Sequence, residues 1–80
     1  MNIAIHSIRG TRWQGAAEKV ICQTPLGQIT VLDHHIPLIA SIFGPAVEIV
    51  GADGKREMIP VSSGFIEVLP GSKVVILASA

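Results

Sequence analysis

Apolar and polar residues alternate along this chain in short runs, and turn residues break the alternation at intervals of about ten. That is the pattern of a β-sandwich or barrel. Ile3 and Ile5 alternate with Ala4 and His6, which predicts a first strand with its isoleucines inward. Arg9, Gly10 and Thr11 read as the turn that follows. The run from Ala17 to Thr24 places Val20 and Cys22 on one face and Lys19, Ile21 and Gln23 on the other, and Pro25 with Gly27 ends it. Gln28 to Leu32 gives another strand, with Ile29 and Val31 sharing a face, and Asp33 to Pro37 forms a loop. Leu38 to Phe43 is mostly apolar and reads as a buried strand terminated by Gly44 and Pro45.

Two hairpins stand out. Val47 to Val50 and Glu57 to Val61 flank Gly51, Ala52, Asp53 and Gly54, where an Asp-Gly pair suits backbone of positive φ. Phe65 to Leu69 pairs with Lys73 to Leu77 across Pro70, Gly71 and Ser72, and Val68, Val74 and Ile76 are β-branched as a pleated sheet favours. No stretch free of Gly and Pro keeps a 3.6-residue period, so the expected class is all-β.

Composition narrows the function classes. Eighty residues make one domain, 1–80, near the lower size limit for a self-sufficient core. Only 15% of residues are charged against 49% apolar, so much of the surface is uncharged, as surfaces that meet partners are. The net charge is zero, which leaves no electrostatic footprint for nucleic acid. No apolar run is long enough to span a bilayer, and the first ten residues lack a basic leader with a long apolar core, so a cytoplasmic location is expected. The single cysteine, Cys22, has no internal disulfide partner.

Two segments carry a resemblance. Gly27 to Leu38, GQITVLDHHIPL, contains His35, Ile36, Pro37 and Leu38, and Ser62 to Val68 reads SSGFIEV. Together they resemble the epsilon subunit of rotary F-type ATP synthases (delta in mitochondria), with its His-x-Pro-Leu loop and Ser-Gly-Gly-x-x-Glu-Val strand. Trp13, Gln14 and Gly15, then Glu18, Lys19 and Val20, extend the similarity to nearly the whole chain. Asp33 and His34 stand where the family has Pro-Gly, and Ser63 replaces the first glycine of its Ser-Gly-Gly run.

The resemblance implies a flattened sandwich of roughly ten short, mostly antiparallel strands. It implies a noncatalytic rotor domain that binds the gamma subunit and the c-ring, coupling ion-driven rotation to ATP synthesis. Carried over position by position, it makes Gln28, Asp33, His34 and His35 the candidates for c-ring contact, with Gln28 where many members have glutamate. It assigns no residue to the gamma surface. Such a domain would sit peripherally on the inner (cytoplasmic) membrane through the complex, without inserting, and apolar surface meant for gamma could produce a homodimer in isolation. The sequence shows no counterpart of the helical hairpin that follows this domain in the family, so neither inhibition nor nucleotide binding is assigned to it. The alternative is a small β-sandwich interaction module unrelated to the synthase, which would not need both signatures together.

The chemically suggestive residues have plainer readings. Asp33, His34 and His35 with His6 have the donor types of a metal site, but adjacent residues on an extended chain point in opposite directions, and no metal or other cofactor is expected. Cys22 has no neighbour in sequence to lower its pKa, so a packed strand cysteine is expected rather than a nucleophile. Ser62 and Ser63 lack the Gly-x-Ser-x-Gly frame of a nucleophile elbow, and Gly51 to Gly54 lacks the Lys-Ser/Thr ending of a phosphate loop. Trp13 is equally a core residue or an interface anchor. No catalytic residue is assigned.

Overall fold

The computed structural model describes residues 1–79, which form eight strands and no helix. They are β1 (Asn2–Ser7), β2 (Gly10–Ala16), β3 (Lys19–Thr24), β4 (Gly27–Leu32), β5 (Leu38–Val50), β6 (Arg56–Pro60), β7 (Ser63–Leu69) and β8 (Lys73–Ala78). The sheet runs β2-β1-β8-β7-β5-β3-β4, with β6 added beside β5. Every pair is antiparallel except β1 with β8, which run parallel from Asn2 against Lys73 to His6 against Leu77.

The long strand β5 folds this sheet into two layers. Its first half, Leu38 to Phe43, pairs with β7, whereas Ala46 to Val50 pairs with β6 and Lys19 to Ile21 pair with the same end of β5. Side chains from both layers meet in one core: Ile3, Ile5, Ile66 and Ile76 from one, Val20, Cys22, Val31, Val47 and Ile49 from the other. Each fully buried aliphatic side chain there stabilises the fold by roughly 1.5–3 kcal/mol. The buried and exposed residues alternate within these strands: Ile3 and Ile5 point inward as the sequence pattern required, the face shared by Val20 and Cys22 is the inward one, and the structure adds Val74 and Ile76 to the interior. Thr24 is the one buried polar side chain among the described residues. Its hydroxyl donates to the Gly27 carbonyl at 2.7 Å and accepts from the Leu26 N–H at 3.2 Å, closing the β3–β4 turn.

The structure corrects three local expectations. Gly44 and Pro45 do not terminate a strand; the chain passes through them as part of β5, because the Gly44 N–H still finds the Ser62 carbonyl at 2.8 Å and the Pro45 carbonyl accepts from Val61 at 3.1 Å. A Cβ on Gly44 would lie 2.3 Å from the Val61 carbonyl oxygen, so glycine is needed for that close approach. Joining two expected strands into one, this passage helps bring the count to eight rather than about ten. Second, Leu38 to Phe43 is not a buried strand: only Ile42 is fully buried, and Ile39 is 71% exposed. Third, Gly10 and Thr11 are not turn residues. They open β2, whose mostly exposed, polar sequence gave no alternation to read.

Candidate functional site

The carbonyl of Leu32, at the end of β4, accepts the His35 N–H at 3.2 Å, and this turn sets the start of the Asp33 to Pro37 loop. His34 adopts φ 61°, left-handed backbone that a non-glycine residue takes only when held. What holds it is the β7–β8 turn. The Ser72 hydroxyl lies 3.3 Å from His34 Nδ1 and accepts the His34 N–H at 3.4 Å, and Ser72 itself has φ 57°. The Ser72 carbonyl in turn accepts the Asn2 N–H at 2.9 Å. Asp33 Oδ1 lies 3.5 Å from the Met1 ammonium, which also donates to the Ala17 carbonyl. The Ser72 side chain, then the Met1 ammonium and His34, hold the Asp33 carboxyl below its ordinary pKa of 3.8. His35 Nδ1 donates to the Ile36 carbonyl at 2.7 Å.

This end of the sandwich therefore gathers three of the four predicted contact residues. Asp33 and His34 are exposed and His35 is half-buried. Gln28 is not among them. It lies near the opposite end of β4, roughly 17 Å away at about 3.3 Å per residue, where its Oε1 accepts the Gln23 amide at 3.3 Å. His6 is remote from the loop too, on β1, bonded to the Thr11 hydroxyl at 3.1 Å. Among the described residues no group of three or more His, Cys, Asp or Glu side chains gathers at ligand spacing. Cys22 is buried, and burial pushes its thiol up to about 11 from an ordinary 9.0, which keeps it protonated and unreactive.

A second surface was not legible in the sequence. On the outer face of β5, β7 and β8, Ile39, Phe65 and Leu77 are 71%, 56% and 57% exposed. Cross-strand pairing sets Phe65 directly opposite Leu77, and Ile39 opposite Glu67, which lies opposite Val75. These five side chains line a shallow groove of about 330 Å³. Glu67 is half-buried within it and makes no ion pair among the described residues. The outer face of the other layer is different: Ile21 and Met58 share it with Glu48, Arg56, Gln23 and Thr30, and Glu48 pairs with Arg56. Trp13 belongs to neither surface. It packs half-buried against the core, and its indole N–H reaches Glu57.

The comparisons with known proteins agree with this architecture. The family model of the ATP synthase delta/epsilon chain beta-sandwich domain matches residues 1–80. The chain belongs to that family. It is 38% identical to the ATP synthase epsilon chain of Shouchella clausii over 81 residues, covering all of this chain and 59% of that one. It is 31% identical to the epsilon chain of Mycobacterium marinum, covering all of this chain and 67% of that one. The fold is similar to a chain in the Euglena gracilis mitochondrial ATP synthase, with a TM-score of 0.86, 20% identity, and 95% of this chain and 48% of that one covered. A chain in the central stalk and c-ring structure of the Tetrahymena thermophila mitochondrial ATP synthase matches with a TM-score of 0.82 and 7% identity, over 100% of this chain and 63% of that one. No helix among the described residues is long and apolar enough to cross a membrane. In this delta/epsilon domain the Ser-Ser-Gly run needs glycine at its third position but not at its second. Ser63 has no left-handed φ, and it trades hydrogen bonds with Ser79 across β7 and β8.

Proposed function

We propose that this domain is a noncatalytic part of an ATP synthase central stalk that grips a gamma subunit through the Ile39, Phe65 and Leu77 face. The observation that carries the reading is that face itself: an apolar sheet surface, left uncovered on a chain that belongs to the delta/epsilon family. Gamma on this face would bury the three side chains and seat Glu67 against a basic group. The Asp33 to Pro37 loop, pinned by Ser72, presents a polar edge suited to the polar loops of a c-ring, with His34 and His35 as its contacts. Gln28, at the other end of β4, could join that contact only if the ring surface spans the length of the strand. A clamp of this kind transmits torque through rigid packing and needs no catalytic group. The subunit would then lie peripherally on the inner membrane, on its cytoplasmic side.

The test is light scattering of this chain mixed with gamma subunit from the same organism. A one-to-one complex is expected, and Phe65→Glu should weaken it at least about tenfold by placing a charge in the buried centre. A complex indifferent to Phe65→Glu and Ile39→Glu would overturn the choice of face. Absence of any complex would overturn the stalk reading for this chain. For the c-ring contact, His34→Ala combined with His35→Ala should weaken rotor assembly while circular dichroism stays unchanged.

A further inference from the structure

The sheet that carries the apolar face continues past Leu77 into the β1–β2 hairpin. Leu77 lies opposite Phe65 on one side and His6 on the other, and His6 lies opposite Thr11 on β2. With about 4.8 Å between neighbouring strands, Thr11 is roughly 10 Å from Leu77 across the sheet. Arg12 follows at the register shift, where it has no opposite residue on β1. A bulge of this kind re-aims a side chain. The turn beside it is set by Ser7, whose hydroxyl accepts the Arg9 N–H at 3.2 Å and lies 3.5 Å from the Gly10 carbonyl. Ser7, Arg9, Gly10, Thr11 and Arg12 line one open hollow of about 390 Å³.

Both arginines are exposed, and neither side chain makes an ion pair or a hydrogen bond among the described residues. None of the six carboxylates of the chain neutralises them. Glu48 pairs with Arg56, Glu57 accepts the Trp13 indole N–H, and Glu67 lies in the groove beside Ile39. Glu18, Asp33 and Asp53 belong to the other end of the sandwich, where the Glu18 N–H meets the Val50 carbonyl next to the turn that holds Asp53.

We propose that this hollow is an anion subsite whose occupant is an acidic segment of gamma, running off the apolar face over Leu77 and setting carboxylates against Arg9 and Arg12. The inference rests on the reading that gamma covers the Ile39, Phe65 and Leu77 face. Continuity selects the occupant: a partner seated on that face reaches the hollow with roughly 10 Å more contact, about seven residues of helix. Charge selects its chemistry, because guanidinium groups without a counter-charge bind carboxylates through paired N–H donors. Glu67 calls for the opposite sign, so the two points together fix the direction of docking. A reversed partner would set like charges against each other at both.

Arg9→Glu and Arg12→Glu test the subsite in binding to gamma subunit from the same organism. At about 0.1 M salt each should weaken the one-to-one complex roughly tenfold, chiefly through slower association, and the difference should shrink near about 1 M salt as the charges are screened. Lys55→Glu makes the same charge change on the exposed turn at the other end and should leave the complex unchanged. Arg9→Gln removes the charge without adding another and keeps the backbone bond to Ser7, so it should weaken the complex less than Arg9→Glu while the melting temperature holds. A complex that is lost on Phe65→Glu but indifferent to both arginine reversals overturns the subsite and leaves the gamma face standing. Equal weakening by Lys55→Glu, or tighter binding on reversal, also overturns it. Absence of any complex overturns both readings.

Discussion

The indole N–H of Trp13 on β2 donates to the carboxylate of Glu57 on β6 at 2.9 Å, across 44 residues of sequence. One charge-assisted hydrogen bond thus ties an edge of the first layer to an edge of the second. Trp13→Phe keeps the ring and deletes the donor. It should cost about 1 kcal/mol, below the usual range for a bond to a charged group because the Glu57 carboxylate is exposed to water. Glu57→Gln, which keeps an acceptor, should cost less, and urea unfolding followed by circular dichroism would rank the two.

Gly64 lies tight against β8, opposite Ala78 in the β7–β8 ladder. A Cβ there would lie 2.1 Å from the Leu77 carbonyl oxygen and 3.0 Å from Ala78 Cα, both backbone atoms that cannot swing aside. Gly64→Ala should therefore destabilise by about 3 kcal/mol, a large share of the stability of a domain of this size. Ser63→Gly, which restores the family residue at the neighbouring position, should cost only about 1 kcal/mol in chain entropy. Comparing the soluble yields and melting temperatures of the two variants checks the contrast.

Cys22 should be inert in the folded domain. With its pKa raised by burial to about 11, the folded state holds the thiol proton more tightly than the unfolded chain does. That contribution to stability is fully present below the ordinary value of 9.0 and is lost as pH rises through about 11. A disulfide-exchange reagent at pH 8 should label the unfolded chain readily and the native domain only at its opening rate. Rapid native labelling would contradict the packing of β3.

Asp33 works in the opposite direction. Its folded-state pKa is lowered, so the unfolded chain binds more protons in the acid range and stability falls as pH drops through and below 3.8. Asp33→Asn should flatten that part of the profile while leaving stability at pH 7 little changed, because the carboxylate is exposed. Urea midpoints measured from pH 6 down to pH 3 on both proteins would show the difference in slope.

Ser72 illustrates where sequence reading stopped. The Pro70, Gly71 and Ser72 turn and the Asp33 to Pro37 loop were each legible, because turn residues act locally through their own backbone preferences. Their meeting was not. His34 and Ser72 are 38 residues apart, and only the packing of β4 over the layer containing β8 puts the hydroxyl within reach of the imidazole. The same limit separated Gln28 from the histidine loop, since a strand that carries both residues also holds them apart by its own length.

By itself the sequence determined the all-β class, both hairpins, the inward isoleucines of β1, the face that Val20 and Cys22 share on β3 and that Ile29 and Val31 share on β4, and the family. Side-chain alternation has a period of two and needs no knowledge of the partner strand, so Ile3 with Ile5 declared their burial alone, and Val20 with Cys22 their common face. The tertiary structure decided what depends on neighbours: that β5 continues through Gly44 and Pro45, that β1 runs parallel to β8, and that Ile39, Phe65 and Leu77 are left uncovered. An isoleucine on a strand reads the same whether its face meets a second layer or open solvent, and the order in which distant strands pair is what settles which.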